Sequence, residues 1–318
     1  MDIIEAIKTN RPKLSEGSIR TYISCINRIA KGINKNLLTD EDILENIDEI
    51  MKWLERYSAN PRKTKIASLI TTLDKKDGEQ SEELKKILEK LRAQMWKDAE
   101  EIKTKDESQT LTEEQKKNFI PWKEVVKRWE QLRIEAEPLF KLEKLTRNQF
   151  FLLQNFILLS LYVLIPPRRS KDWTDFKLRD YDTTTESQDN YMVIPEAKRK
   201  PAYFVFNSYK NSSRLGPQIV NIPNYLRLLI LKWGKINPSD YLITNQFQQK
   251  VAHSRITMLL NNIFGKSISS SLLRHIYLTD KLGSVDLKKL KDITTSMGNS
   301  EIERTLSYIS KEHASETV

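Results

Sequence analysis

The chain has 318 residues, enough for two domains with a core each, and its 39% hydrophobic and 30% charged composition excludes global disorder. Lys and Arg outnumber Asp and Glu by 53 to 43, a formal net charge of +10, so the expected partner is a polyanion, nucleic acid first among them. A single Cys25 excludes a disulfide framework and a cysteine metal site, and His253, His275 and His313 share no metal-ligand spacing, so neither a metal nor a cofactor is expected.

The opening "MDIIEAIKTN" lacks the basic start and long apolar run of a signal peptide, which leads to the expectation of an intracellular protein. From Ser18, "SIRTYISCINRIAKGI" spaces Ile19, Tyr22, Ile23, Ile26, Ile29 and Ala30 by threes and fours, predicting an amphipathic helix with Ser18 as N-cap. Ile43, Leu44, Ile47, Ile50, Met51, Leu54 and Tyr57 predict a second helix, capped by Thr39 or Asp40. "NPRKTKIASLITTLDKK" opens a third with Asn60 and Pro61. Arg62, Lys63 and Lys65 in its first turn oppose the helix dipole, so they are expected to serve a contact rather than helix stability, to the backbone of a polyanion such as nucleic acid. "SEELKKILEKLRAQMWKDAEEI" predicts a fourth helix with a narrow apolar stripe, and residues 1–105 read as a small helical bundle.

Residues 106–120 are polar, almost without large apolar side chains, and read as a linker to a second domain over 121–318. Helices are expected at 121–136 and 146–165; the latter is the most apolar stretch of the chain, but Gln154, Asn155 and Ser160 interrupt it, and it is shorter than the roughly 20 residues a bilayer requires. It reads as a core helix, with no membrane association expected. "DFKLRDYD", "NYMVIP", "AYFVFNSY" and "QIVNIP" are rich in β-branched and aromatic residues and predict a small antiparallel sheet, with "KNSSRLGP" as a loop between the last two. Helices follow at 224–234, 254–264, 270–282, 286–296 and 300–309. The predicted class is mainly α with a small antiparallel β-sheet: an N-terminal helical bundle followed by an α+β domain.

Four groups of polar residues stand where pattern alone would not put them. Arg168 and Arg169 follow the apolar helix in "LIPPRRSKDW"; Lys210 opens the turn "YKNSSRLG"; Arg274 and His275 interrupt the helix "SSSLLRHIYLTDKL"; and "SMGNSEIERTLSYIS" sets a glycine turn before a helix ending near Tyr308. Together they suit attack on a phosphodiester. Arginine forks hold non-bridging oxygens and stabilise charge growing in the transition state. A lysine protonates the leaving oxygen, and a tyrosine is a nucleophile able to form a covalent intermediate.

The order Arg, Lys, Arg, Gly-x-Ser, Tyr resembles the tyrosine recombinases of the phage-integrase superfamily over the whole second domain, and the helical first domain is similar to their core-binding domain. In that family an acid and then an apolar residue follow the first catalytic arginine, the acid three positions on; Asp172 and Trp173 stand so after Arg169, which makes Arg169 the expected catalytic arginine and Arg168 and Asp172 auxiliary residues. The resemblance gives Lys210 the place of the hairpin lysine and Arg274 that of the second arginine. It departs from the family at Ser271, where histidine or lysine is common, with His275 as a possible substitute, and at Asn299, nine residues before Tyr308, where histidine or tryptophan is usual.

The resemblance implies that Tyr308 attacks a phosphate in double-stranded DNA to give a 3′-phosphotyrosine and a free 5′-hydroxyl, without nucleotide or metal. It implies two domains that clamp the duplex and a homotetramer on paired sites, with weak assembly in the absence of DNA because "ISKEHASETV" after Tyr308 carries little apolar surface. A mobile or viral element is the expected source by analogy. Two other readings stay open: a type IB topoisomerase, which reseals the same strand, and a catalytically impaired DNA-binding relative, motivated by Ser271 and Asn299.

Overall fold

The computed structural model describes residues 3–36, 38–74, 80–107, 111–196, 200–282 and Met297. The chain divides into two compact units, Met1–Ser108 and Gln109–Val318.

The first unit comprises α1 (Ile3–Asn10), α2 (Glu16–Gly32), α3 (Asp40–Glu45), α4 (Ile47–Leu54), α5 (Ala59–Leu73) and α6 (Glu82–Glu107). Helix α2 starts earlier than the periodicity suggests, because the Ser15 hydroxyl caps it by accepting from the Ser18 N–H at 3.2 Å; Ser18 is the capped donor rather than the cap. The single helix expected over Ile43–Tyr57 is two. Thr39 and Asp42 close a capping box on α3, and Asn46 ends α3 and precedes α4. Helix α1, which the apolar spacing did not signal, is held by Asn10: its buried side-chain amide donates to the Thr71 and Thr72 carbonyls, both at 3.0 Å, satisfying acceptors that the end of α5 would otherwise leave open. Ile26, Ile29, Ile50, Leu54, Ile66, Leu69, Leu88 and Leu91 form the centre of this core. Each such side chain contributes about 1.5–3 kcal/mol by leaving water.

The second unit begins with α7 (Glu113–Asn118), inside the stretch expected to be a linker, where Thr112 and Gln115 make a reciprocal capping box. It continues with α8 (Trp122–Ala136), a 3-10 turn (Glu137–Lys141), α9 (Arg147–Val163), α10 (Ser170–Thr174), β1 (Asn190–Val193), β2 (Tyr203–Phe206), α11 (Ser212–Leu215), β3 (Gln218–Asn221), α12 (Asn224–Ile236), α13 (His253–Phe264) and α14 (Ser270–Leu282). The strands form an antiparallel sheet in the order β1-β2-β3, with Phe204 opposite Met192 on one side and Val220 on the other. The fold is mainly α with this one small sheet. "DFKLRDYD" does not join it as a strand. Phe176 and Lys177 make isolated bridges, and Asp180, at φ +50°, turns the chain away from an extended course. The loop "KNSSRLGP" contains the one-turn α11, and Gly216 ends it at φ +67°, a conformation that suits glycine. The helices expected over 286–296 and 300–309 lie outside the described residues.

Helix α9 is buried along most of its length, as its all-round apolar character requires. Two of the three polar residues that interrupt it, Gln154 and Ser160, have partners inside the protein, whereas the buried Asn155 Oδ1 accepts no hydrogen bond among the described residues. Gln154 donates to the Thr244 carbonyl at 3.1 Å and accepts from the Thr244 N–H at 2.9 Å, and the Ser160 hydroxyl accepts from the Trp129 indole at 2.8 Å. Among the described residues no helix is long and apolar enough to cross a membrane.

Candidate functional site

Thr146 and Gln149 start α9 with a capping box, and the helix gives out at Leu164, just before Pro166 and Pro167, which cannot donate to a helical ladder. The chain leaves this anchored end extended at Arg169 and enters α10 immediately. The two arginines therefore issue from a fixed point in the core.

Arg168 turns inward. Its side chain is fully buried, with the guanidinium centred 3.8 Å from the Phe206 ring centroid and 5.7 Å from that of Tyr209. Its Nε donates to Asp172 Oδ2 at 2.8 Å, and a terminal nitrogen donates to Gln218 Oε1 at 3.0 Å. Asp172 is equally buried, and the positive charges acting on it come from Arg168, Arg169 and Arg274. Burial raises its carboxyl above the ordinary carboxylate range while the three guanidinium groups pull the other way. Burial also lowers Arg168, against the opposing pull of Asp172.

Arg274 acts on this carboxylate through its charge from a different helix. The Ser170 and Ser270 hydroxyls, 2.8 Å apart, join the start of α10 to the start of α14, and Arg274 lies one turn further along α14 with its side chain buried. The Tyr162 hydroxyl, at the end of α9, lies against both serines, and burial raises it well above the ordinary tyrosine range. Arg169 is half-buried and caps α10. The charges of three arginines from two segments about 100 residues apart thus act on one carboxylate, to which Arg168 is bonded directly. His275 is half-buried and Ser271 is exposed.

Lys210 is exposed at the turn that follows β2. The Tyr209 hydroxyl donates to the Gly216 carbonyl at 2.7 Å and closes that turn. The buried amide of Asn190 donates to the Asp172 and Ser208 carbonyls, both at 2.9 Å, and accepts from the Ser208 N–H at 2.8 Å, tying β1, α10 and the end of β2 together. The Ser208 hydroxyl adds a 2.9 Å bond to Asp175, which also pairs with Lys250 at 2.7 Å. Beneath this, Trp173 packs on Phe176, Phe204 and Phe206 with ring centroids 5.4–5.9 Å apart, fixing α10 on the sheet. Asn190, Gln218, Tyr162 and the two serines escaped the sequence reading, since their partners are distant in the chain; Asn190, at the head of the apolar run "YMV", is the only one with a visible signal. Asn299 and Tyr308 lie outside the described residues.

In the first unit the expected backbone contacts take a different form. Arg62 donates from Nε and a terminal nitrogen to Asp98 Oδ1 at 2.9 and 2.6 Å, and Asp98 is fully buried on α6. Lys65 is only 5% exposed, with its ammonium 3.8 Å from the Tyr57 ring centroid, and burial lowers its pKa. Neither presents its charge to solvent as a backbone contact requires, so these two cations that oppose the α5 dipole are explained by internal partners; Lys63 is half-buried. The exposed positive face belongs instead to α2. There Arg20, Ser24, Asn27, Arg28 and Lys31 flank Ile23 along an open groove of about 420 Å³, and the helix's one acid, Glu16, pairs with Arg20 at 3.2 Å.

Among the described residues no group of three or more His, Cys, Asp or Glu side chains is placed to hold a metal ion. No protein-family model matches the chain, and no curated protein matches it. Among solved structures it is similar to the crystal structure of XerA recombinase, with 13% identity and a TM-score of 0.40 over 99% of this chain and 96% of that one. This is a distant, fold-level likeness, and the functional reading rests on the residues themselves.

Proposed function

We propose that this chain is a DNA strand-transferase of the tyrosine-recombinase kind, which cuts and rejoins double-stranded DNA through a 3′-phosphotyrosine on Tyr308. The observation that carries the reading is the gathering of Arg168, Arg169 and Arg274 around buried Asp172, beside the anchored turn of Lys210. Three guanidinium groups and one carboxylate leave an excess of two positive charges at the end of a rigid helix, which suits a phosphodiester whose charge rises as it is attacked.

In this reading Arg169 and Arg274 hold the non-bridging oxygens. Tyr308 Oη forms the new bond to phosphorus, the bond to the 5′-oxygen breaks, and Lys210 protonates that oxygen as it leaves. The free 5′-hydroxyl then attacks the phosphotyrosine linkage of a partner strand. Asn299 donates one hydrogen bond to phosphate from its amide, with His275 and Ser271 as auxiliary groups. The exposed face of α2 supplies backbone contacts from the first unit. The protein works inside the cell, as a tetramer on paired sites that assembles weakly without DNA, and serves the integration of a mobile or viral element.

The test is covalent trapping in EDTA. A library of nicked duplexes is incubated with the parent and with Tyr308→Phe, and adducts are resolved on a denaturing gel. An adduct that depends on Tyr308 is expected. DNA binding without an adduct on any duplex would replace this reading with a binding protein that lacks catalysis, for which Ser271 and Asn299 give the motive; relaxation of supercoiled plasmid without a paired site would replace recombinase by topoisomerase.

A further inference from the structure

Arg168 is a fully buried cation that an apolar side chain could replace at lower desolvation cost, so its contacts have to account for its presence. They join three elements. The guanidinium bonds to Asp172 in α10, stacks on Phe206 at the end of β2 and bonds to Gln218 at the start of β3. Phe206 and Gln218 are direct cross-strand partners, the register pair nearest the turn. Arg168 therefore grips the β2–β3 hairpin across both arms at its turn end, four residues before Lys210.

We infer that Arg168 is a positioning residue that sets the place of Lys210 relative to Arg169, and so the delivery of a proton to the leaving 5′-oxygen; this rests on the function proposed above. Arg169 is the next residue in the chain and caps α10, so its position is fixed by the same segment that Arg168 clamps to the hairpin. Asn190 makes a second tie between α10 and the end of β2, which keeps the hairpin attached while Arg168 sets its angle. Buried as it is, Arg168 touches neither DNA nor the reacting atoms. Its fork matters, because only a planar group with several donors bonds Asp172 and Gln218 while lying on Phe206.

The experiment uses the full chain and a nicked duplex selected from the library by adduct formation with the parent. The duplex is made in two forms, with oxygen or with sulfur at the 5′-bridging position of the scissile phosphate. When the bond to oxygen breaks, the electron pair goes to an oxygen that takes a proton from Lys210. When the bond to sulfur breaks, a thiolate leaves without one. Lys210→Ala and Arg168→Met are both expected to slow adduct formation on the oxygen substrate by about 100-fold and to react with the sulfur substrate at close to the parent rate. Arg169→Ala is expected to be slow on both, because it removes the grip on phosphate. Arg168→Lys, which keeps the charge and loses the fork, is expected to behave as Arg168→Met does. Should Arg168→Met fail to fold, Gln218→Leu leaves the ion pair intact and is expected to show a smaller oxygen-specific loss.

Equal slowing of Arg168→Met on both substrates, or no slowing on either, would overturn the inference and leave Arg168 a structural residue. Absence of an adduct with the parent itself would overturn the proposed function, and the inference with it.

Discussion

Replacing Asp172 with asparagine keeps the shape of the side chain and removes the one negative charge among three arginines. In the parent its Oδ2 receives the Arg168 bond at 2.8 Å, and Arg169 and Arg274 act on the same carboxylate. The substitution removes the carboxylate charge on which the buried Arg168 and Arg274 act. Breaking a buried pair in this way costs about 3–5 kcal/mol. For a unit of this size each kcal/mol moves the melting temperature by about 2–4 °C, so a fall of roughly 6–20 °C is expected. Arg168→Met is the informative comparison. It forfeits the bonds of Arg168 to Asp172 and Gln218 but leaves Asp172 facing Arg169 and Arg274, so a smaller loss of about 1–3 kcal/mol is expected. The assay is thermal and urea unfolding of the full chain at pH 7 and low salt. Equal stability losses in the two variants, or a larger one for Arg168→Met, would refute the view of Asp172 as the shared counter-ion of all three arginines.

Three further outcomes concern the first unit. A Cβ at Gly32 would lie 2.1 Å from Trp53 Cε2, so Gly32→Ala is expected to lower stability by about 1–3 kcal/mol, read by urea unfolding. Burial lowers the Lys65 pKa, so its cost to the fold is greatest below the folded-state value and fades as pH rises toward the ordinary lysine value of about 10.4; the urea midpoint should rise with pH in that window for the parent, and Lys65→Met should remove that rise and match or exceed the parent at pH 7. Neutralising Arg20, Arg28 and Lys31 of α2 together should weaken DNA binding similarly across sequences and reduce the slope of log affinity against log salt by about three, measured by fluorescence anisotropy on a labelled duplex.

How much of this was legible depends on the distance over which each feature is decided. Helix α9, the strands around Tyr191, Phe204 and Val220, and the break after Leu164 are set by local apolar pattern and by proline, and they stand where the sequence places them. The end of α2 at Ser15 and the division at Asn46 turn on which of several polar residues bonds the backbone, a competition that spacing alone does not rank. Helix α1 is secured through Asn10 by carbonyls 61 and 62 residues away, and Arg62 by an aspartate 36 residues away. Such pairings leave no trace in a local window. The same holds at the site. The spacing after Arg169 offers Asp172 as an auxiliary residue, but its place as the carboxylate on which three arginines act depends on Ser170 meeting Ser270 100 residues later. Arg168, expected beside Arg169 as an auxiliary, was drawn into the core by Phe206 and Gln218, neither of which announces an arginine partner.

Helix α9 also bears on how this protein tolerates changes in length. With a capping box at Thr146, internal partners for Gln154 and Ser160, and two prolines just past its end, it has little room for slippage. One residue inserted within it would turn everything beyond by about 100° and advance it by about 1.5 Å, swinging Arg168, Arg169 and Asp172 together away from Arg274 on α14. The exposed turn from Asp182 to Glu186 joins the same half of the unit and can lengthen without moving either arginine. Natural variation in chain length should therefore collect in that turn and be absent between Thr146 and Asp172.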